Sequence, residues 1–133
     1  MSCMLMRHEG AFGKEEMLIP VPLHPRRLRE RGYNQALLLA QAISAHTGLP
    51  LEREALVRIR MTGALTHSTR MQRLRAIHGA FQADPQRLRG KHLLLIDDVF
   101  TTGATSIACA MTMLQAGAKE VSVLTACRTF PRQ

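Results

Sequence analysis

The residues best suited to do chemistry are two adjacent carboxylates, Asp97 and Asp98, in the stretch LLLIDDVFTTGAT (93–105). Four apolar residues precede them and a small, hydroxyl-rich loop follows. The chain has only three aspartates, so placing two side by side concentrates repulsion that something must compensate. A short apolar run suits a central strand buried on both faces, with the acids at its end. The loop behind them leads into a helix whose free N–H groups and dipole favour a phosphate. Thr101, Thr102 and Thr105 add hydroxyl donors, while Gly103 and Ala104 let the backbone approach an anion closely. A carboxylate just before such a pocket accepts hydrogen bonds from sugar hydroxyls. The set suits a sugar phosphate. The plainer alternative is that the acids cap a turn and the threonines cap a helix. Neither GxxxxGK[ST] nor GxGxxG occurs, which excludes a P-loop and a dinucleotide fingerprint.

Positioning such a loop requires an α/β arrangement. The spacing predicts a strand from Met17, ended by Pro20, Pro22 and Pro25 in a stiff loop. A helical pattern runs from Arg26 to about His46, with Ala36, Leu37, Ala40 and Ile43 on its apolar face and Gly32 as a candidate interruption of its start. Gly48 and Pro50 end it. ALVRIR (55–60) alternates like a half-buried or edge strand, and MTGALTHSTR (61–70) reads as a loop. TRMQRLRAIHGAF (69–81) has helical spacing, and ADPQRLRGK is a turn-rich connection. HLLLID (92–97), a helix over 105–117 and EVSVLTAC (120–127) form a βαβ unit, which requires a parallel sheet. In that helix Ile107, Met111 and Leu114 are the expected core stripe. Residues 1–16 read as a short N-terminal remnant, a candidate for disorder, and 17–133 as a single domain.

A chain of 133 residues can bury a real core. No apolar run approaches the ~20 residues that span a bilayer, so the expected location is cytoplasmic and no membrane partner is expected. Cys3, Cys109 and Cys127 lack metal-ligand spacing and read as small hydrophobes, so no zinc is expected. The formal charge of +8, carried mostly by arginine, suggests an anionic partner: a phosphorylated metabolite, nucleic acid or acidic protein. Four Phe, one Tyr and no Trp leave little for base stacking.

LLLIDDVFTTGAT resembles the phosphoribosyl-pyrophosphate signature of the type I phosphoribosyltransferases. IPVPLHPRRLRERGYNQALLLAQAI and the stretch from Gly90 to Thr129 are similar to the ComF (GntX-like) branch of that family. The resemblance covers residues from about 17 to 130. It implies an open, mainly parallel sheet flanked by helices, without the zinc-ribbon or hood region found N-terminal in that branch. It further implies that Asp97 and Asp98 hold the ribose hydroxyls and that residues 101–105 wrap the 5′-phosphate. The Pro20, Val21, Pro22 loop would turn its backbone toward the pyrophosphate, and Arg31, Asn34 and Gln35 of RGYNQ would share that site. Arg26, Arg27 and Arg29 read as a solvated helix face.

Two positions depart from the branch. Arg60 and Thr62 match its pattern, but Leu65 stands where glutamine is usual, and Ala76 follows Arg75 where asparagine is usual. This segment is the loop that covers substrate in the family, and Arg75 is its expected catalytic cation. The resemblance implies a phosphoribosyltransferase whose Mg²⁺ arrives with the substrate, with no dedicated protein cage. The rival is a non-catalytic binder of phosphoribosyl pyrophosphate acting in DNA uptake, with DNA or a DNA-processing protein as partner. The acceptor and the oligomeric state, a homodimer included, are left open.

Overall fold

The run Leu93–Ile96 has no polar side chain, so a strand built from it needs cover on both faces. In the computed structural model, which describes residues 15–60, 69, 71–72, 79–100 and 103–128, the strand has that cover. β4 (His92–Phe100) lies between β1 (Met17–Pro20) and β5 (Glu120–Arg128), parallel to both. Leu93, Leu94, Leu95 and Ile96 are all at most 1% exposed, and each such side chain contributes roughly 1.5–3 kcal/mol. A further parallel bridge joins Leu51 to Leu18 on the outer side of β1.

Strand alternation divides the core into two layers. Ile19, Leu93 and Leu95 belong to one, and Leu18, Leu94, Ile96 and Leu124 to the other. α2 (Gln35–Thr47) closes the second layer with Ala40 and, less deeply, Leu39 and Ile43. The first is closed by α4 (Ala104–Gln115) through Cys109 and Met113, and by Leu88 of the short α3 (Pro85–Leu88). Leu56 and Phe81 complete it from an antiparallel pair, β2 (Leu56–Arg58) and β3 (Phe81–Ala83). Cys109 is fully buried, and burial pushes its thiol pKa up, as expected of an inert side chain. Cys3 lies outside the described residues. Among the described residues no helix is long and apolar enough to cross a membrane.

Several expectations need correction. The helical run from Arg26 to His46 is two helices, α1 (Pro25–Arg31) and α2. Gly32, at φ 86°, donates its N–H to Leu28 O at 2.7 Å and ends the first. The acids do not end β4, which continues through Val99 and Phe100 opposite Cys127 and Arg128. Phe81 belongs to β3 rather than to a helix, because Arg58 of β2 offers it a strand partner. Met71 and Gln72 are helical, and residues 73–78 lie outside the described ones. α4 turns a different stripe inward: Ala104, Ser106, Cys109 and Met113 are buried, while Met111 and Leu114 are exposed. A helix apolar almost all round offers more than one stripe, and its smaller side chains let it lie closer to the sheet. Residues 1–14 lie outside the description, but Glu16 is laid along β4, its N–H on His92 O at 2.8 Å.

Candidate functional site

The carboxyl ends of β1 and β4 open into a cavity of about 220 Å³, in the place where open α/β sheets bind ligands. Asp97 and Asp98 line one side. Asp97 is 8% exposed and accepts a hydrogen bond from Ser106 Oγ, itself buried on α4, at 3.0 Å. Burial raises the Asp97 pKa to about 6; the Ser106 hydroxyl works against that shift and the Asp98 carboxyl adds to it. Thr125, opposite Asp97 in register, is fully buried, and its Oγ1 has no hydrogen-bond partner among the described residues.

The helix that starts beside the acids has a glycine as its N-cap. Gly103 takes φ 79° there and has no side chain with which to cap the helix. The first bond along it runs from Ile107 N–H to Gly103 O at 2.8 Å, so the amides of Thr105 and Ser106 stand ahead of the ladder. Gly103, Ala104 and Thr105 line the cavity. Thr101 and Thr102 lie outside the described residues.

The rest of the lining comes from the loop after β1 and from the two helices that follow. Val21 and Pro22 line it, and the loop is fixed by Val21 N–H donating to Ile96 O at 2.8 Å. Asn34 ties the same loop to α2. Its Nδ2 donates to Val21 O at 3.1 Å, and its Oδ1 accepts from Ala36 N–H at 3.0 Å and Leu37 N–H at 3.4 Å. Asn34 lines the cavity, yet its side chain already serves the scaffold. Arg31 and Gln35 line it too. Pro20 does not; it sits one step back, on a neighbouring groove. Arg75, Leu65, Ala76 and nearly all of the expected covering loop at 61–70 lie outside the described residues.

Three polar residues were not singled out for the cavity by sequence. Arg27, expected on a solvated face, lines it one helical turn from Arg31, an i,i+4 spacing already visible in PRRLRER. Arg58 reaches it from β2, half-buried, its guanidinium 5.3 Å from the Phe81 ring centroid. Burial lowers the Arg58 pKa, the Cys109 sulfur opposes this, and the nearby Arg27 charge adds to it. Ser106 is the third, and its link to Asp97 spans nine residues that no local pattern connects. Carboxylates, guanidiniums and the first residues of a helix thus line one cavity. A ligand carrying both hydroxyls and anionic oxygens matches that lining.

No family model matches the chain. It is 32% identical over 127 residues to the DNA utilization protein YhgH of Salmonella typhi, covering 96% of this chain and 56% of that protein. Identity to the protein of the same name in Escherichia coli O157:H7 is 36% over 115 residues, 86% of this chain and 50% of the relative. The competence protein ComFC of Bacillus subtilis is 32% identical over 117 residues, 87% of this chain and 46% of the relative. The chain spans about half the length of the curated relatives it matches. Among solved structures, an allosteric regulatory enzyme of purine biosynthesis superposes with a TM-score of 0.56 at 21% identity, covering 85% of this chain and 22% of that one. A purine phosphoribosyltransferase from Pyrococcus horikoshii gives 0.52 at 16% identity, over 90% of this chain and 73% of that one. At those identities the structures speak for the fold alone. Sequence relatives and fold agree: the chain belongs to the ComF-like family of proteins with the type I phosphoribosyltransferase fold.

Proposed function

We propose that the chain binds phosphoribosyl pyrophosphate and transfers its phosphoribosyl group to an acceptor, releasing pyrophosphate. The observation that carries this reading is the single cavity lined together by Asp97 and Asp98, the N-terminal end of α4 and the arginines of α1 and β2. The carboxylates would hold the ribose hydroxyls and the amides at 103–105 the 5′-phosphate. Arg27, Arg31 and Arg58 would meet the pyrophosphate. In the transfer step a lone pair on the acceptor forms the bond to C1 while the C1–O bond breaks. That bond's electron pair leaves on pyrophosphate, and the acceptor's proton passes to water. The protein's part is orientation and electrostatics, with no covalent intermediate.

The donor set also fits Mg²⁺ carried in by substrate. The aspartates that line the cavity are hard oxygen donors able to stand beside a substrate-bound ion. Such an ion would neutralise charge on the leaving pyrophosphate. The experiment is calorimetric titration of the chain with phosphoribosyl pyrophosphate, with and without Mg²⁺, followed by a pyrophosphate-release assay over nucleobases and amines. Saturable, Mg²⁺-dependent heat is expected, and no heat in either condition would sink the reading.

A second reading shares the binding step and drops the transfer. The relatives' names refer to DNA utilization and competence, and Leu65 and Ala76 replace polar residues usual in the covering loop. In that reading the pocket serves as a sensor or relic beside a DNA-processing role. Ligand heat without pyrophosphate release on any acceptor would favour it.

A further inference from the structure

Beside the sugar-phosphate cavity lies a second, larger groove of about 520 Å³. The two share Pro22, Leu23, Asn34 and Arg58 as walls, so an occupant of one is a neighbour of an occupant of the other. Resting on the reading above, we propose that this groove is the acceptor's subsite and that the acceptor is a planar apolar ring carrying one negative charge.

The shape and the lining point the same way. Leu28, Tyr33, Leu38 and Val57 open onto the groove, with Tyr33 50% and Leu38 51% exposed. Four large apolar side chains gathered at one opening are more than scattered surface exposure explains. A mostly apolar groove of this volume with a few polar groups is the usual form of a small-molecule site. Its charged lining has one sign. Arg53 and Arg58 contribute guanidiniums, and among the described residues no carboxylate lines the groove. Arg53 makes no ion pair among the described residues, because its neighbours Glu52 and Glu54 are both turned to Arg87, at 2.6 and 3.6 Å. A ring with a carboxylate would lay its face on Tyr33 and the leucines and its charge on the arginine side, leaving a separate nitrogen or oxygen to meet C1 through the shared wall. A cationic ring would find no counter-charge there.

The chain carries its own reporter. It has one tyrosine and no tryptophan, so its ultraviolet emission reports Tyr33 alone. Benzoate is the probe, with benzamide as the neutral isostere and benzylamine as the cation, each titrated in the presence of phosphoribosyl pyrophosphate and Mg²⁺. Benzoate should change the emission saturably, and benzamide and benzylamine should bind about tenfold more weakly or worse, the worth of one charge-assisted hydrogen bond. Arg53→Gln should weaken benzoate by a similar factor and Leu38→Asp should abolish its effect. In both variants the heat of phosphoribosyl pyrophosphate binding should stay as in the natural protein. Benzamide matching benzoate, or sugar-phosphate binding with no benzoate response, would overturn the subsite and leave the sugar-phosphate reading intact. Benzoate binding without sugar-phosphate binding would instead overturn that reading and, with it, the acceptor role. Should Leu38→Asp convert a dimer to a monomer while benzoate binding persists, the groove is an interface between copies and the proposal falls.

Discussion

Two helices present their N-termini to the same cavity and meet the same problem in opposite ways. α2 starts at Asn34, whose Oδ1 takes up the amides of Ala36 and Leu37 and whose Nδ2 holds the preceding loop. α4 starts at Gly103 in a left-handed conformation, a residue with no side chain to cap the helix. A helix leaves its first N–H groups unpaired, and either the protein or a ligand must satisfy them. Where the chain supplies its own cap, the terminus serves as scaffold; where it withholds one, the terminus is available to an anion. The same contrast separates the two aspartates' surroundings from the arginine side. The carboxylates are carried by the most deeply buried strand, whereas α1, with Arg27 and Arg31, buries none of its residues.

The comparison breaks most sharply at the acids. Replacing Asp97 and Asp98 together by asparagine should weaken phosphoribosyl pyrophosphate binding by about 100-fold or more, near 3 kcal/mol, without unfolding the chain. Calorimetry with a circular-dichroism melt checks both halves; unchanged affinity would show that the pair does not touch the sugar.

Asp97 has a second effect, on stability. Its pKa in the fold, about 6, lies above that of an ordinary aspartate, so the folded state holds the proton more tightly than the unfolded one. The resulting stabilisation is complete below pH ~4 and disappears as pH rises through about 6, a change of up to about 3 kcal/mol. Asp97→Asn should therefore be more stable than the natural protein at pH 8 and show a flatter profile between pH 4.5 and 8. Urea unfolding at the two pH values measures this, and parallel profiles would contradict it.

Changing the caps tests the two helix starts directly. Thr105→Asp places a carboxylate in the first turn of α4, which should hold or raise stability by a few tenths of a kcal/mol while lowering affinity for the sugar phosphate about tenfold. Asn34→Ala should do the reverse, costing about 1 kcal/mol of stability with a smaller loss of affinity. Paired denaturation and calorimetry would show the inversion, and equal losses in both variants would erase the distinction between scaffold and binding helix. Ser106→Ala is the mildest change. It removes the hydrogen bond that favours ionised Asp97, so the Asp97 pKa should rise further, by about one unit or less. A carbon-detected carboxyl titration would reveal no movement if the hydroxyl does not matter.

Local chemistry alone was enough for part of this protein. The apolar run before Asp97 and Asp98 requires a doubly covered strand, and Pro20, Gly32 and Gly48 mark breaks because proline and a left-handed glycine act on their own backbone whatever surrounds them. The strand–helix–strand unit from His92 to Arg128 and the loop beside it follow from that same short-range physics, whereas the RGYNQ run was marked by the family resemblance; most of the expected site residues that the structure describes meet in one cavity. Tertiary structure decided what short-range patterns leave degenerate. α4 carries apolar residues around its whole circumference, so only the sheet could select Cys109 and Met113 over Met111 and Leu114. β3 exists because β2, more than twenty residues earlier, offers it an antiparallel partner. The approach of Ser106 to Asp97, the entry of Arg58 from β2 and the displacement of Pro20 to the neighbouring groove are likewise consequences of packing. Each depends on side chains distant in sequence, whose separation is set by the packed layers rather than by their spacing along the chain.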